Sequence, residues 1–141
     1  MKNLVFKIIG LSTVFLLLFT TASCSDDDDV FADITVNEGP NGDIGGDFNG
    51  NGGSTTRTIT WTNNLATADY NADITTGAQG TFQMIVADSN GTVVLNKSLV
   101  GANEPDSFSG VTSTGEPGEW TVTITIADFN GDGSYSLSAG D

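Results

Sequence analysis

The residues best placed to do chemistry in this sequence are oxygen-bearing side chains at alternate positions. Asp128-x-Asn130-x-Asp132-Gly133 matches the first half of a Ca²⁺ loop, in which every second residue turns an oxygen toward one ion and glycine permits the sharp bend. Asp47-x-Asn49-x-Asn51-Gly52 repeats the pattern. Neither is completed by the bidentate glutamate that should close the loop, because Ala139 and Thr58 stand at the twelfth positions and Asp141 comes two residues late. Asp128, Asn130 and Asp132 are thus candidate metal ligands, with Ca²⁺ the ion they would take. Ordinary turn chemistry is the favoured reading of both runs, since Asp, Asn and Gly tolerate positive φ and bond their own backbone.

Other chemistry is bounded by what the chain lacks. It has no histidine, which excludes Ser-His-Asp and Cys-His catalysis and every His-dependent metal site. A carboxylate pair remains. Asp69 and Asp73 fall two pleats apart on one face of a predicted strand, but exposed acids that keep an edge strand soluble are the favoured reading. Trp61, Trp120 and Tyr70 would suit a platform for sugar rings if they reached solvent. Each instead falls in register with Ile, Val or Ala, the pattern of core residues. No catalytic residue is assigned, and the chain is read as a non-enzyme.

The single cysteine has the most telling surroundings. Lys2 and Lys7, an apolar run from Ile8 to Phe19 and small residues up to Ser23 have the anatomy of a secretory signal. That run is about a dozen residues, short of the roughly 20 a membrane-spanning helix needs. Thr21-Ala22-Ser23-Cys24 resembles the bacterial lipobox, with Thr21 where Leu, Val or Ile is usual. The resemblance implies cleavage before Cys24, acylation there and anchoring to a membrane by the N-terminal lipid. Ser25 after the cysteine, followed by Asp26 to Asp29, is similar to the acidic signal of lipoproteins displayed on the bacterial cell surface, which implies an outer-membrane location.

Loss of residues 1–23 leaves Arg57 and Lys97 against all 18 acids, a balance of −16. Nucleic acid is excluded as a partner, because phosphate contacts need Lys and Arg. An anionic lipid face is disfavoured for the same reason.

The elements that must position these residues are strands. Val30 to Val36 is β-prone and could be a first strand or a sticky part of the tether. From Asn37 to Ser54 the composition collapses to Gly, Asn and Asp, so residues 24–54 are expected to form an acidic and then Gly/Asn-rich flexible tether spanning roughly 30 Å. Residues 55–141 then read as one all-β domain. In Glu119 to Ala127, Trp120, Val122, Ile124 and Ile126 share one face while Thr121, Thr123 and Thr125 share the other, the pattern of a half-buried antiparallel strand. Asp128 to Gly133 should turn the chain into a closing strand through Tyr135 and Leu137. Upstream, the same alternation runs through Thr58 to Thr62, Ala68 to Ile74 and Phe82 to Val86; Asp88-Ser89-Asn90-Gly91 makes a hairpin turn before Thr92 to Leu99, and a weaker strand spans Asp106 to Thr112. About seven short strands at this spacing predict a single antiparallel β-sandwich of jelly-roll or immunoglobulin-like type.

From Phe82 onward the chain resembles the bacterial pre-peptidase C-terminal β-sandwich. The matching pieces are Phe82 to Val94, Pro117-Gly118-Glu119-Trp120-Thr121-Val122 and Gly133-Ser134-Tyr135-Ser136-Leu137. The resemblance implies a sandwich with an accessory role in binding, secretion or spacing, and supplies no catalytic residues. The sequence therefore leads to a lipid-anchored surface lipoprotein whose sandwich is a non-catalytic interaction or structural module, with an envelope protein or a glycan as partner. The alternatives are a carbohydrate-binding accessory module of a glycan-uptake system and, further off, a small carboxylate-dependent hydrolase.

Overall fold

Period-two patterning organises the chain throughout residues 29–140, which the computed structural model describes. Eight strands follow one another: β1 (Ala32–Ile34), β2 (Asn37–Glu38), β3 (Ile44–Asn63), β4 (Ala68–Ile74), β5 (Gln79–Ala87), β6 (Val93–Val100), β7 (Ser107–Val111) and β8 (Gly118–Ala139). Every pairing is antiparallel.

The long strands β3 and β8 form the frame. They lie side by side from Ile44↔Leu137 to Asn63↔Gly118, and both bend half-way along. The first half of β3 and the second half of β8 are flanked by β1 and β2 on one side and by β4 and β7 on the other. The second half of β3 and the first half of β8 continue into β5 and then β6. One sheet is thus folded over on itself into a β-sandwich. At the fold the register slips on either side of Gly53, and Gly52 and Asp128 take positive φ of 81° and 48°. Gly53 has to be glycine because a Cβ there would overlap the Phe31 carbonyl.

Between the halves lies one core. Phe48, Phe82, Met84, Trp120, Val122, Ile124, Ile126, Phe129 and Leu137 are fully buried in it, and each such side chain contributes on the order of 1.5–3 kcal/mol. Polar groups are buried only where they bond. The Asn63 amide donates to the Thr67 carbonyl and accepts from the Leu65 N–H, holding the β3–β4 turn. Thr112 exchanges bonds with the Ala68 backbone. Asp88 Oδ1 accepts from the N–H groups of Asn90 (3.0 Å) and Thr92 (2.8 Å), and Oδ2 from Glu116 (2.9 Å), tying the β5–β6 hairpin to the loop before β8.

Two expectations are corrected. The tether does not extend to residue 54, because Ile44 to Ser54 belongs to β3 and β1 and β2 pair with it. Phe48 is 1 % exposed in the core, so this Gly-rich run does bury the surface that its composition argued against. Asp128 to Gly133 is not a turn between two strands; it is the bend within the single strand β8.

Candidate functional site

Cys24 lies outside the described residues. The bend of β8 carries Asp128, Asn130 and Asp132 within one strand, with Asp128 itself at a positive φ of 48°. The second half-motif is its direct neighbour: Asn51 pairs with Asn130 and Asn49 with Asp132. Both runs serve the corner of the sandwich. The Asp128 N–H donates to Ser54 Oγ (2.8 Å), and the Asp132 carbonyl accepts the N–H (2.9 Å) and hydroxyl (3.2 Å) of Thr75. Among the described residues no group of three or more His, Cys, Asp or Glu is gathered to hold a metal.

The aromatic residues are core. Trp120 is fully buried and Trp61 is 4 % exposed, their rings 6.0 Å apart at 89°. The Trp61 N–H donates to the Gly42 carbonyl and the Trp120 N–H to the Glu116 carbonyl, both at 2.7 Å. Tyr70 is half-buried, edge-on to Phe108 (5.8 Å). No coplanar aromatic platform is formed by these three. Asp69 and Asp73 occupy the outer face of β4, where the Ser134 hydroxyl donates to Asp73 (2.6 Å).

The two outer faces of the sandwich differ in charge. On the half built from β1, β3, β8, β4 and β7, transverse rows run Asp33–Asn49–Asp132 and Asp47–Ser134–Asp73, so acids dominate. On the half built from β3, β8, β5 and β6 the rows run Thr56–Thr125–Gln83–Ser98, Thr58–Thr123–Ile85–Asn96 and Thr60–Thr121–Ala87, with no charged residue in any of them. Thr56 and Thr125 share a hydroxyl–hydroxyl bond (3.1 Å), and the Gln83 amide donates to Asn96 (3.0 Å). Strand spacing sets such hydroxyls about 4.8 Å apart across the sheet and roughly 7 Å apart along it. Across these rows the face is a lattice of neutral donors and acceptors interrupted by Ile85, Ala87 and Val93.

At the end of the sandwich away from the bend, the lattice meets a shallow crevice of about 210 Å³ lined by Glu38, Gly42, Ile44, Thr60, Trp61 and Thr62. Glu38 and Gly42 come from the segment expected to be tether. They reach Trp61 only because the folded-over sheet returns the end of β3 to the level of its beginning. Glu38 is the one acid lining the crevice, and glycoside hydrolysis needs two carboxyl groups about 5–9 Å apart.

No family model matches the chain, and no curated protein does. Among solved structures it is similar to TmCBM61 in complex with β-1,4-galactotriose, at 8% identity and a TM-score of 0.38, over 79% of this chain and 70% of that one. It is also similar to a structure described as CBM4, at 14% identity and a TM-score of 0.35, over 77% and 89% of the two chains.

Proposed function

We propose that this protein is a lipid-tethered module of the bacterial envelope that binds an uncharged glycan on its threonine-lined face and performs no chemistry on it. The observation that supports this reading is the segregation of charge: in a chain of net charge −14, the rows from Thr56, Thr58 and Thr60 across to β6 hold no charged residue, only hydroxyls, amides and the apolar Ile85, Ala87 and Val93. The overall negative field repels anionic ligands, whereas a neutral polyol meets donors and acceptors without desolvating a charge. The Thr60 end of the lattice opens into the crevice beside Glu38, which offers an end subsite.

The tether follows from Cys24. With β1 beginning at Ala32, six residues separate the acylated cysteine from Phe31, at most roughly 25 Å of extended chain. The chain enters the fold at its bend, where the Phe31 carbonyl accepts from the N–H groups of Asn51 (3.0 Å) and Gly53 (3.2 Å). The crevice is at the other end and so points away from the lipid.

Two measurements test the reading separately. Mass spectrometry of the native product should give a mature chain that begins at an acylated Cys24; any other start removes the anchor. Calorimetry of the full chain in detergent micelles against neutral oligosaccharides should show binding that Gln83→Ala with Thr123→Val weakens about tenfold, the loss expected for one or two hydrogen bonds. Absence of heat with every neutral glycan, or affinity indifferent to these substitutions, removes the glycan and leaves a protein-binding or spacing module.

A further inference from the structure

Arg57 and Lys97, the only two cations among the described residues, stand at the two ends of a single transverse row of the sandwich. Arg57 pairs with Ile124, Ile124 with Met84, and Met84 with Lys97. The middle members of the row, Ile124 and Met84, are fully buried in the core. Strand register puts all four on the same face of the sheet, so both cations occupy core-facing positions, yet both are exposed. They are exposed because each sits on an edge strand: among the described residues the second half of β3 pairs with β8 alone, and β6 with β5 alone. A long side chain at such a place passes around the open edge to water.

These are also the edges that most need covering. On the other half of the sandwich the outer strands are β1, β2 and β7, of 3, 2 and 5 residues, too short to template a partner. The free part of β3 reads Thr55-Thr56-Arg57-Thr58-Ile59-Thr60-Trp61-Thr62-Asn63, and β6 reads Val93-Val94-Leu95-Asn96-Lys97-Ser98-Leu99-Val100. Both are long, and without their cations each would present backbone donors and acceptors on a sequence that favours sheet, save where the Val94 carbonyl at the start of β6 already accepts from the Ser113 N–H (3.1 Å). Val93 and Val100 add exposed apolar surface at the ends of β6.

We infer that Arg57 and Lys97 close these two edges to a second copy of the chain. A strand laid against β3 or β6 would extend the sheet and block the route by which the guanidinium or ammonium reaches water, leaving a charge among core-facing side chains with no acid to meet it in the row. Pairing is prevented where one charge sits in each edge, and the two edges are guarded independently.

Independence makes the test specific. The full chain in detergent micelles is compared with Arg57→Thr, Lys97→Thr, the double variant and the charge-keeping exchange Arg57→Lys with Lys97→Arg, by size-exclusion chromatography with light scattering. Opening one edge should double the protein mass, because an edge paired with its own copy is used up. Opening both should give open-ended assemblies that bind thioflavin T. The charge-keeping exchange should match the wild type. The inference is overturned if both single variants stay folded and elute with the wild-type mass at the highest concentration the wild type tolerates, whatever the double variant does. It is equally overturned if the charge-keeping exchange assembles as the threonine variants do.

Discussion

Phe48 of β3 stacks on Phe82 of β5 across the interior, with ring centroids 4.5 Å apart and planes inclined by 13°. The first half of β3, which carries Phe48, and β5 belong to opposite halves of the sandwich, so the stack clamps the folded sheet shut, and Phe129 meets Phe48 edge-on at 5.4 Å beside it. Gly133, directly opposite Phe48 in the β3–β8 ladder, leaves room for the ring; a Cβ there would overlap it.

Phe48→Ala is therefore expected to destabilise the domain by about 3–5 kcal/mol, the range for emptying a buried aromatic site, as read from denaturant midpoints. A chain that begins at residue 55 loses β1, β2 and half of β3 together and should show no cooperative unfolding transition. A truncated chain that melts like the parent would return residues 37–54 to the status of a linker.

What was legible in the sequence depended on whether side chains or partners carry the strand. Trp120, Val122, Ile124 and Ile126 declare β8 because their faces alternate in polarity. Ile44 to Asn51 alternates as well, with Ile44 and Phe48 inward and Asp47, Asn49 and Asn51 outward, but glycine fills Gly46 and Gly50 on the inward face. Those glycines are demanded by neighbours: a Cβ at Gly46 would overlap the Thr35 carbonyl. Composition reported a linker where close backbone approach had removed the side chains. The run through Asp128 misled in the opposite sense, because turn residues there bend a strand without ending it. The crevice at Glu38, and the edge positions of Arg57 and Lys97, depend on which strands meet, and no local pattern carries that.

The tryptophans give a direct check on how a glycan is held. Trp61 and Trp120 face each other across β3 and β8; Trp120 is fully buried and Trp61, though it lines the crevice, is only 4 % exposed, so neither offers a free ring face for stacking. Saturating the protein with a glycan that binds should leave the tryptophan emission maximum in place and acrylamide quenching low both before and after. A large quench or blue shift on binding would mean that a tryptophan leaves the core to meet the sugar, contrary to binding on the threonine lattice.

Asp88 sets an acid limb on stability. The Glu116 N–H bond foremost, with those from Thr92 and Asn90, holds its carboxyl below the ordinary value of 3.8 against the opposing effect of burial. A carboxyl lowered in the folded state stabilises the protein above its unfolded pKa, and that contribution is lost as pH falls through the folded pKa. Thermal melts between about pH 2 and pH 6 should show the loss beginning near pH 4. Asp88→Asn should lower the melting temperature at neutral pH and flatten this limb, because an amide cannot replace both accepting oxygens. An unchanged slope in that variant would assign the acid limb to other carboxylates.

Tyr135 does the reverse at high pH. Its hydroxyl donates to the Thr35 carbonyl (2.7 Å), fastening the second half of β8 to the segment between β1 and β2. Burial pushes the phenol up to about 12; Arg57 pulls it down and Asp47 adds to the rise, both weaker influences than burial. A phenol raised in the folded state costs nothing below the unfolded value of 10.0, where both states are protonated. Between that value and about 12 the unfolded chain ionises first, so stability should decline progressively across this window. Absorbance titration near 295 nm should follow one phenol ionising late, and Tyr135→Phe should remove that late step and shrink the alkaline loss. Arg57→Thr withdraws a cation that favours the phenolate, so the late step should move higher still. If it moves lower or stays fixed, the guanidinium does not act on Tyr135 across the open edge of the sandwich.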